Sequence, residues 1–167
     1  MKTQIRNFSA ILILVLSFAL QSHSQGALYK KLKKYCDKVP LGFAEIPEDR
    51  KQSLREIGDY IIAQKRERKK AILTVICTQN SSRSHLGQIW IKTACYYYGI
   101  DSIEAFSGGT NASAFNERAI SALERVGFQI AKMNVEDPKN PKYTVSIGAD
   151  LGNFMMYSKK YNDKQNP

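Results

Sequence analysis

Histidine, cysteine and acidic side chains are scarce in this 167-residue chain, and each shortage closes off a class of function. Its two histidines, His23 and His85, are too few for a multi-histidine metal site. Three cysteines, Cys36, Cys77 and Cys95, cannot staple a disulfide scaffold of this length. Ten glycines and five prolines exclude collagen-like and Pro/Gly-rich low-complexity architectures. There is no internal repeat, and beyond the N-terminal segment no apolar run approaches the ~20 residues needed to span a bilayer. What remains is an ordinary globular balance, 43% hydrophobic and 24% charged, suited to one domain with a proper core. The acid deficit leaves a net charge of +10. The basic residues spread through 30–34, 65–70 and 159–164 without a nucleic-acid motif, so the excess reads as a solvated surface hospitable to anions.

The N-terminus carries a targeting pattern. Lys2 and Arg6 precede the apolar run Phe8 to Leu20, and small polar residues follow from Gln21 to Gln25. This is the order of a secretory signal peptide, with Ser22 and Ser24 as the small residues before the cut. The expectation is a signal peptide over 1–24, an N-terminal helical extension over 25–70 and a catalytic-type domain over 71–167. Export would place the mature chain in a periplasmic or extracellular setting, with no stable membrane span after cleavage.

Alternation of element types organises the rest. Ala27 to Tyr35 suits a short helix, and the Pro40, Gly42 and Pro47 region a loop. A second helix starts at Pro47, with Leu54, Ile57, Ile61 and Ile62 as its apolar stripe. Ala71 to Cys77 is short, β-branched and almost wholly apolar, the pattern of a central strand buried on both faces. Leu86, Ile89, Trp90, Thr93 and Tyr97 recur at helical spacing up to Gly99. Ile103 to Phe106 is a second strand. Asn116 caps a helix with inner face Ala119, Ile120, Leu123 and Val126 and exit Gly127. Phe128 to Val135 is a third strand, and Tyr143 to Ile147 pairs with Phe154 to Tyr157. The order points to an α/β three-layer sandwich around a mainly parallel sheet.

The chemistry lies in Cys77-Thr78-Gln79-Asn80-Ser81-Ser82-Arg83-Ser84. A cysteine at a strand end and an arginine six residues on, at a helix start, leave enough chain to curl around one tetrahedral oxyanion. Successive N–H groups can form an anion nest, and the helix N-terminus adds donors. The same field lowers the thiol pKa and favours the Cys77 thiolate. Arg83 can grip two oxygens with its planar fork. Ser84 can hydrogen-bond the sulfur, and Asn80 tolerates the left-handed backbone that a tight loop requires.

Cys77-x5-Arg83-Ser84, with Asn80 inside it, resembles the phosphate-binding loop of the low-molecular-weight protein tyrosine phosphatases and the related arsenate reductases. Val75 to Trp90 is similar to that family's strand, loop and first helix. Phe106 to Thr110 and Asn116 to Gly127 resemble its later segments. The resemblance implies a four-stranded parallel sheet and no metal or organic cofactor. It implies Cys77 as nucleophile, a phosphocysteine intermediate and Arg83 as oxyanion ligand, within a binding loop of residues 78–84. The implied substrate is a phosphate-type oxyanion or a phosphoprotein. The two other functions it leaves open are thiol-dependent arsenate reduction and non-catalytic oxyanion binding.

Three departures stand out. Gln79 occupies a position usually held by glycine, Ser82 one often held by a second cysteine, and His85 one often held by proline. His85 is expected at the mouth of the loop, touching substrate or solvated. The family's general-acid aspartate has no clear counterpart, and its last strand and helix have no matching segment. Asp137, in the one Asp-Pro pair, reads as a turn residue and a weak candidate for that acid. Cys95 is expected in the core and Cys36 at the surface.

Overall fold

The computed structural model describes residues 27–133 and 137–167. The expected signal peptide and the far end of the strand reaching Val135 lie outside the described residues. Helix α1 spans Lys30–Cys36, a 3-10 segment follows over Val39–Glu45, and α2 spans Glu48–Arg66. Strand β1 covers Ala71–Cys77, α3 Arg83–Tyr98, β2 Ile103–Gly109 and α4 Glu117–Val126. Three short strands complete the chain: β3 Gln129–Lys132, β4 Tyr143–Ser146 and β5 Phe154–Met156.

Local chemistry sets the boundaries. Acidic Glu48 and Asp49 open α2 and basic Lys65 and Arg66 close it, each matched to its end of the helix dipole. Helix α3 stops where Gly99 turns left-handed at φ 64°. The Asn116 side chain caps α4 by accepting from the Arg118 and Ala119 N–H groups.

The single, mainly parallel sheet expected from the element order does not form. Strands β1 and β2 make a two-stranded parallel sheet, in register from Ala71 opposite Ile103 to Cys77 opposite Gly109. Strands β3, β4 and β5 make a separate antiparallel sheet. The reason lies in composition. A strand inside a parallel sheet is covered on both faces and needs a nearly continuous apolar run. β1 has that run, but it is not the central strand buried on both faces that the run suggests: its sheet has two strands, and Ile72 and Ile76 stay exposed. Gln129-Ile130-Ala131-Lys132 alternates instead, with only Ile130 partly buried, and so forms a hairpin edge with β4.

The main core lies between α1, α3, α4 and the antiparallel sheet, centred on Leu32, Ile89, Leu123, Val145, Ile147 and Met156. Cys36 is buried in this cluster, against the expectation of exposure. Helix α1 therefore shares its core with the chain beyond residue 71. Trp90 packs edge-on to Phe128 at 5.2 Å between ring centres. Helix α2 contributes no buried residue, and its Leu54, Ile57 and Ile62 stay exposed. Among the described residues no helix is long and apolar enough to cross a membrane.

Two glycines bring the pieces of the site together. A Cβ on Gly109 would stand 2.6 Å from the Asn80 nitrogen, so only glycine lets β2 end against the loop that follows β1. A Cβ on Gly108 would collide with the Tyr161 backbone. On that side residues 159–161 run beside β2: Gly109 N–H donates to the Lys159 carbonyl at 3.0 Å, and Tyr161 N–H to the Gly109 carbonyl at 2.9 Å.

Candidate active site

Cys77 is the last residue of β1 and Arg83 the first of α3, so residues 78–82 must turn the chain from strand to helix. Asn80 takes the sharpest bend, with φ 44° in the left-handed region that asparagine enters more readily than most residues. The loop's carbonyls are held from outside. The Cys77 carbonyl accepts from Thr110 N–H at 3.1 Å, Thr78 from Asn111 N–H at 2.8 Å, and Ser81 from Asn116 N–H at 2.9 Å. The Gln79 carbonyl accepts from the Ser158 hydroxyl at 2.9 Å. In a trans peptide the N–H points opposite to the C=O, so anchoring the Thr78 carbonyl outward turns the Gln79 N–H inward. The backbone N–H groups of Gln79, Ser81 and Ser84 lie near enough to the Cys77 sulfur to lower its pKa, without meeting hydrogen-bond geometry to it.

The Ser84 hydroxyl lies 3.0 Å from that sulfur, and its donor direction follows from its neighbours. The Lys159 N–H donates to Asn80 Oδ1 at 2.8 Å, which leaves the Asn80 amide nitrogen to face Ser84. That nitrogen donates to Ser84 Oγ at 2.9 Å. With its oxygen occupied as acceptor, Ser84 has its one proton free for sulfur. Asn80 and Ser84 are both fully buried, so this chain of bonds is shielded from water.

The three thiols part company electrostatically. Partial burial works to raise the Cys77 pKa, but the Ser84 hydroxyl and the three backbone donors outweigh it and bring it down to about 7. Cys36 and Cys95 are pushed up, each chiefly by burial. Cys77 alone of the three therefore carries much thiolate at neutral pH.

A cavity of about 310 Å³ opens over the sulfur, lined by Cys77, Thr78, Gln79, Ser81, Ser82, Arg83 and Asn116. None of these residues is acidic. Arg83 is exposed on the cavity wall and makes no salt bridge with another described residue. A larger cavity of about 430 Å³ lies at the other end of α3, among Lys92, Cys95, Gly99 and Leu151, away from the lowered thiol. Among the described residues no group of three or more His, Cys, Asp or Glu side chains is placed to hold a metal ion.

Of the predicted residues, Cys77, Thr78, Gln79, Ser81, Ser82 and Arg83 line one cavity, Ser84 contacts the sulfur and Asn80 is an internal brace. Gln79 is exposed, which answers how the loop accommodates a side chain where glycine is usual. Asp137 is also exposed and closes its own turn by accepting from Lys139 N–H at 2.9 Å; it does not line the cavity. His85 differs from expectation. It is fully buried behind the loop, edge-on to Phe115, with Nε2 3.2 Å from the Tyr157 carbonyl. Its Nδ1 lies beside the Ser81 carbonyl without meeting hydrogen-bond geometry. Burial drives its pKa down to about 4, so it is neutral at pH 7.

Sequence reasoning missed Ser158, Asn140 and Asn116 as parts of the site. Ser158 is a knot: its hydroxyl also accepts from Ser113 N–H at 2.8 Å, and its own N–H and carbonyl both pair with the Asn140 side chain. No local signal marks it, because it meets the loop across 79 positions of chain. Comparison with known proteins returns no match: no protein-family model fits the chain, and no curated protein and no solved structure is significantly similar to it.

Proposed function

We propose that residues 77–84 bind a phosphate-type tetrahedral oxyanion and that the chain hydrolyses phosphate monoesters through a phosphocysteine on Cys77. The reading follows the loop's resemblance to the low-molecular-weight protein tyrosine phosphatases. One observation carries it: the Cys77 sulfur, 3.0 Å from the Ser84 hydroxyl, lies at a cavity of about 310 Å³ lined by the loop's own residues and Arg83, where its pKa falls to about 7. Donors that stabilise a thiolate also suit the oxygens of an anion placed above it.

In the proposed reaction the Cys77 thiolate attacks phosphorus, the P–O bond to the leaving group breaks, and the departing oxygen takes a proton from solvent water. Water then attacks phosphorus, releasing inorganic phosphate and restoring the thiolate. Arg83 holds equatorial oxygens from the wall. Among the described residues no carboxylic acid lines the cavity, and aryl phosphates with acidic leaving groups, which need least protonation, are the favoured substrates. Cys36 and Cys95 do not line this cavity, which favours hydrolysis over a thiol-coupled arsenate reduction. Export before action is part of the proposal and rests on Lys2, Arg6 and the run from Phe8 to Leu20.

The test is rapid-mix kinetics with p-nitrophenyl phosphate. The expected result is a burst of nitrophenol approaching one equivalent and a trapped phosphoprotein of corresponding mass. Cys77→Ser should abolish both while still binding orthovanadate. Folded wild-type protein that gives neither burst nor vanadate binding refutes the proposal; vanadate binding without a burst reduces the site to oxyanion capture.

A further inference from the structure

Asn116 reads in the sequence as a helix cap, and it is one. Its Oδ1 accepts from Arg118 N–H at 2.9 Å and from Ala119 N–H at 3.3 Å. That pairing settles the orientation of the amide, since a flipped group would set its own N–H bonds against two backbone donors. The same residue lines the cavity over Cys77. Its backbone N–H donates to the Ser81 carbonyl, which ties it to the loop. With Oδ1 committed to α4, Nδ2 is the polar end left over, and it makes no hydrogen bond with another described residue.

We infer that Asn116 Nδ2 is an oxyanion-binding donor of this cup, supplied by a segment outside the 77–84 loop and aimed at a non-bridging oxygen of the bound anion. The inference rests on the oxyanion reading above and adds to it a ligand from outside the loop. It also accounts for the choice of residue. Aspartate caps a helix as well as asparagine does. An aspartate here would set a carboxylate beside a thiolate and a doubly charged guest, whereas asparagine caps with its oxygen and leaves a neutral donor for the anion. The residue is held from both sides, so little freedom remains to be lost when the anion arrives.

Two substitutions that keep the cap separate binding from folding. Asn116→Ser retains an oxygen for the α4 N–H groups and removes the amide donor. Asn116→Asp retains the cap and replaces the donor with a negative charge. The probe is orthovanadate, read as protection of Cys77 from iodoacetamide by peptide mass. The expected outcome is a protection constant weaker by at least about 10-fold for Asn116→Ser, the lower end of the cost of one hydrogen bond to a charged group. Asn116→Asp should lose more, with part of the loss relieved by salt. The unfolding midpoint of Asn116→Asp should stay within about 3 °C of wild type, since the cap survives. An Asn116→Ser constant within twofold of wild type overturns the inference while leaving the oxyanion reading intact. Absence of vanadate protection in the wild type overturns both.

Discussion

Removing the Ser84 hydroxyl should release the Cys77 thiol toward its ordinary pKa. The wild-type value of about 7 is a balance in which burial opposes four donors, and the Ser84 hydroxyl is the strongest of those donors. A hydrogen bond to a charged group contributes about 1.5–3 kcal/mol, and one pKa unit corresponds to about 1.4 kcal/mol. Ser84→Ala should therefore raise the Cys77 pKa by about 1–2 units. The thiolate fraction at pH 7 then falls from about one half to roughly 1–10%. Alkylation by iodoacetamide across pH 5–10, with each cysteine's peptide resolved by mass, reads this directly. Cys36 and Cys95 serve as internal controls, because burial raises both and neither touches Ser84. The substitution also leaves the buried Asn80 Nδ2 without its acceptor, at a cost to folding of about 1–3 kcal/mol. A Cys77 midpoint that moves by less than about 0.3 units in folded Ser84→Ala would refute the reasoning. It would mean that the 3.0 Å contact is not a hydrogen bond donated by the Ser84 hydroxyl to the thiolate.

Asn80→Asp tests the same relay one step back. The second carboxylate oxygen would compete for the Ser84 proton and add negative charge near the sulfur, so the Cys77 pKa should rise by at least about 1 unit in the same alkylation profile. His85 gives a pH signature in stability. Its pKa is near 4 in the folded protein against 6.5 when free, chiefly through burial, so below pH 6.5 the unfolded chain binds more protons than the folded one. Stability should be full above pH 6.5 and decline as pH falls toward 4, by about 3 kcal/mol in all. Denaturant titrations on wild type and His85→Asn should show this slope in the first and its loss in the second.

The stretch from Val75 to Trp90 was the most legible part of the chain. An apolar β-branched strand, a polar turn with Asn80 and a helical repeat from Leu86 are local patterns, and the structure forms each element where the pattern puts it, although β1 is not buried on both faces because Ile72 and Ile76 stay exposed. The two helix ends at Gly99 and Gly127 and the cap at Asn116 were equally local. The sheet was not. Alternation of strands and helices suggests parallel crossovers, but whether β3 lies parallel to β1 depends on partners that no window of sequence displays. Four residues with one inward-facing side chain settled on a hairpin instead. The burial of Cys36 and His85 was hidden for a related reason. A short basic helix does not announce that its apolar side will meet α4 and β4, nor does a loop announce that residues 157–161 will cover its back.

By itself the sequence determined the ingredients: a cysteine at the end of an apolar strand, a donor-rich turn, an arginine at a helix start and an asparagine able to bend left-handed. Only the tertiary structure decided that the ingredients act on one another. The Lys159 N–H orients Asn80, Asn80 turns Ser84 toward sulfur, and Ser158 ties the Gln79 carbonyl outward. Each of these bonds joins backbone and side-chain groups that must be satisfied once water is excluded, and exclusion of water is a property of the packed whole. A thiol pKa is set by the few ångströms around the sulfur, and the loop residues that fill them are held there by bonds from residues 110–116 and 158–159.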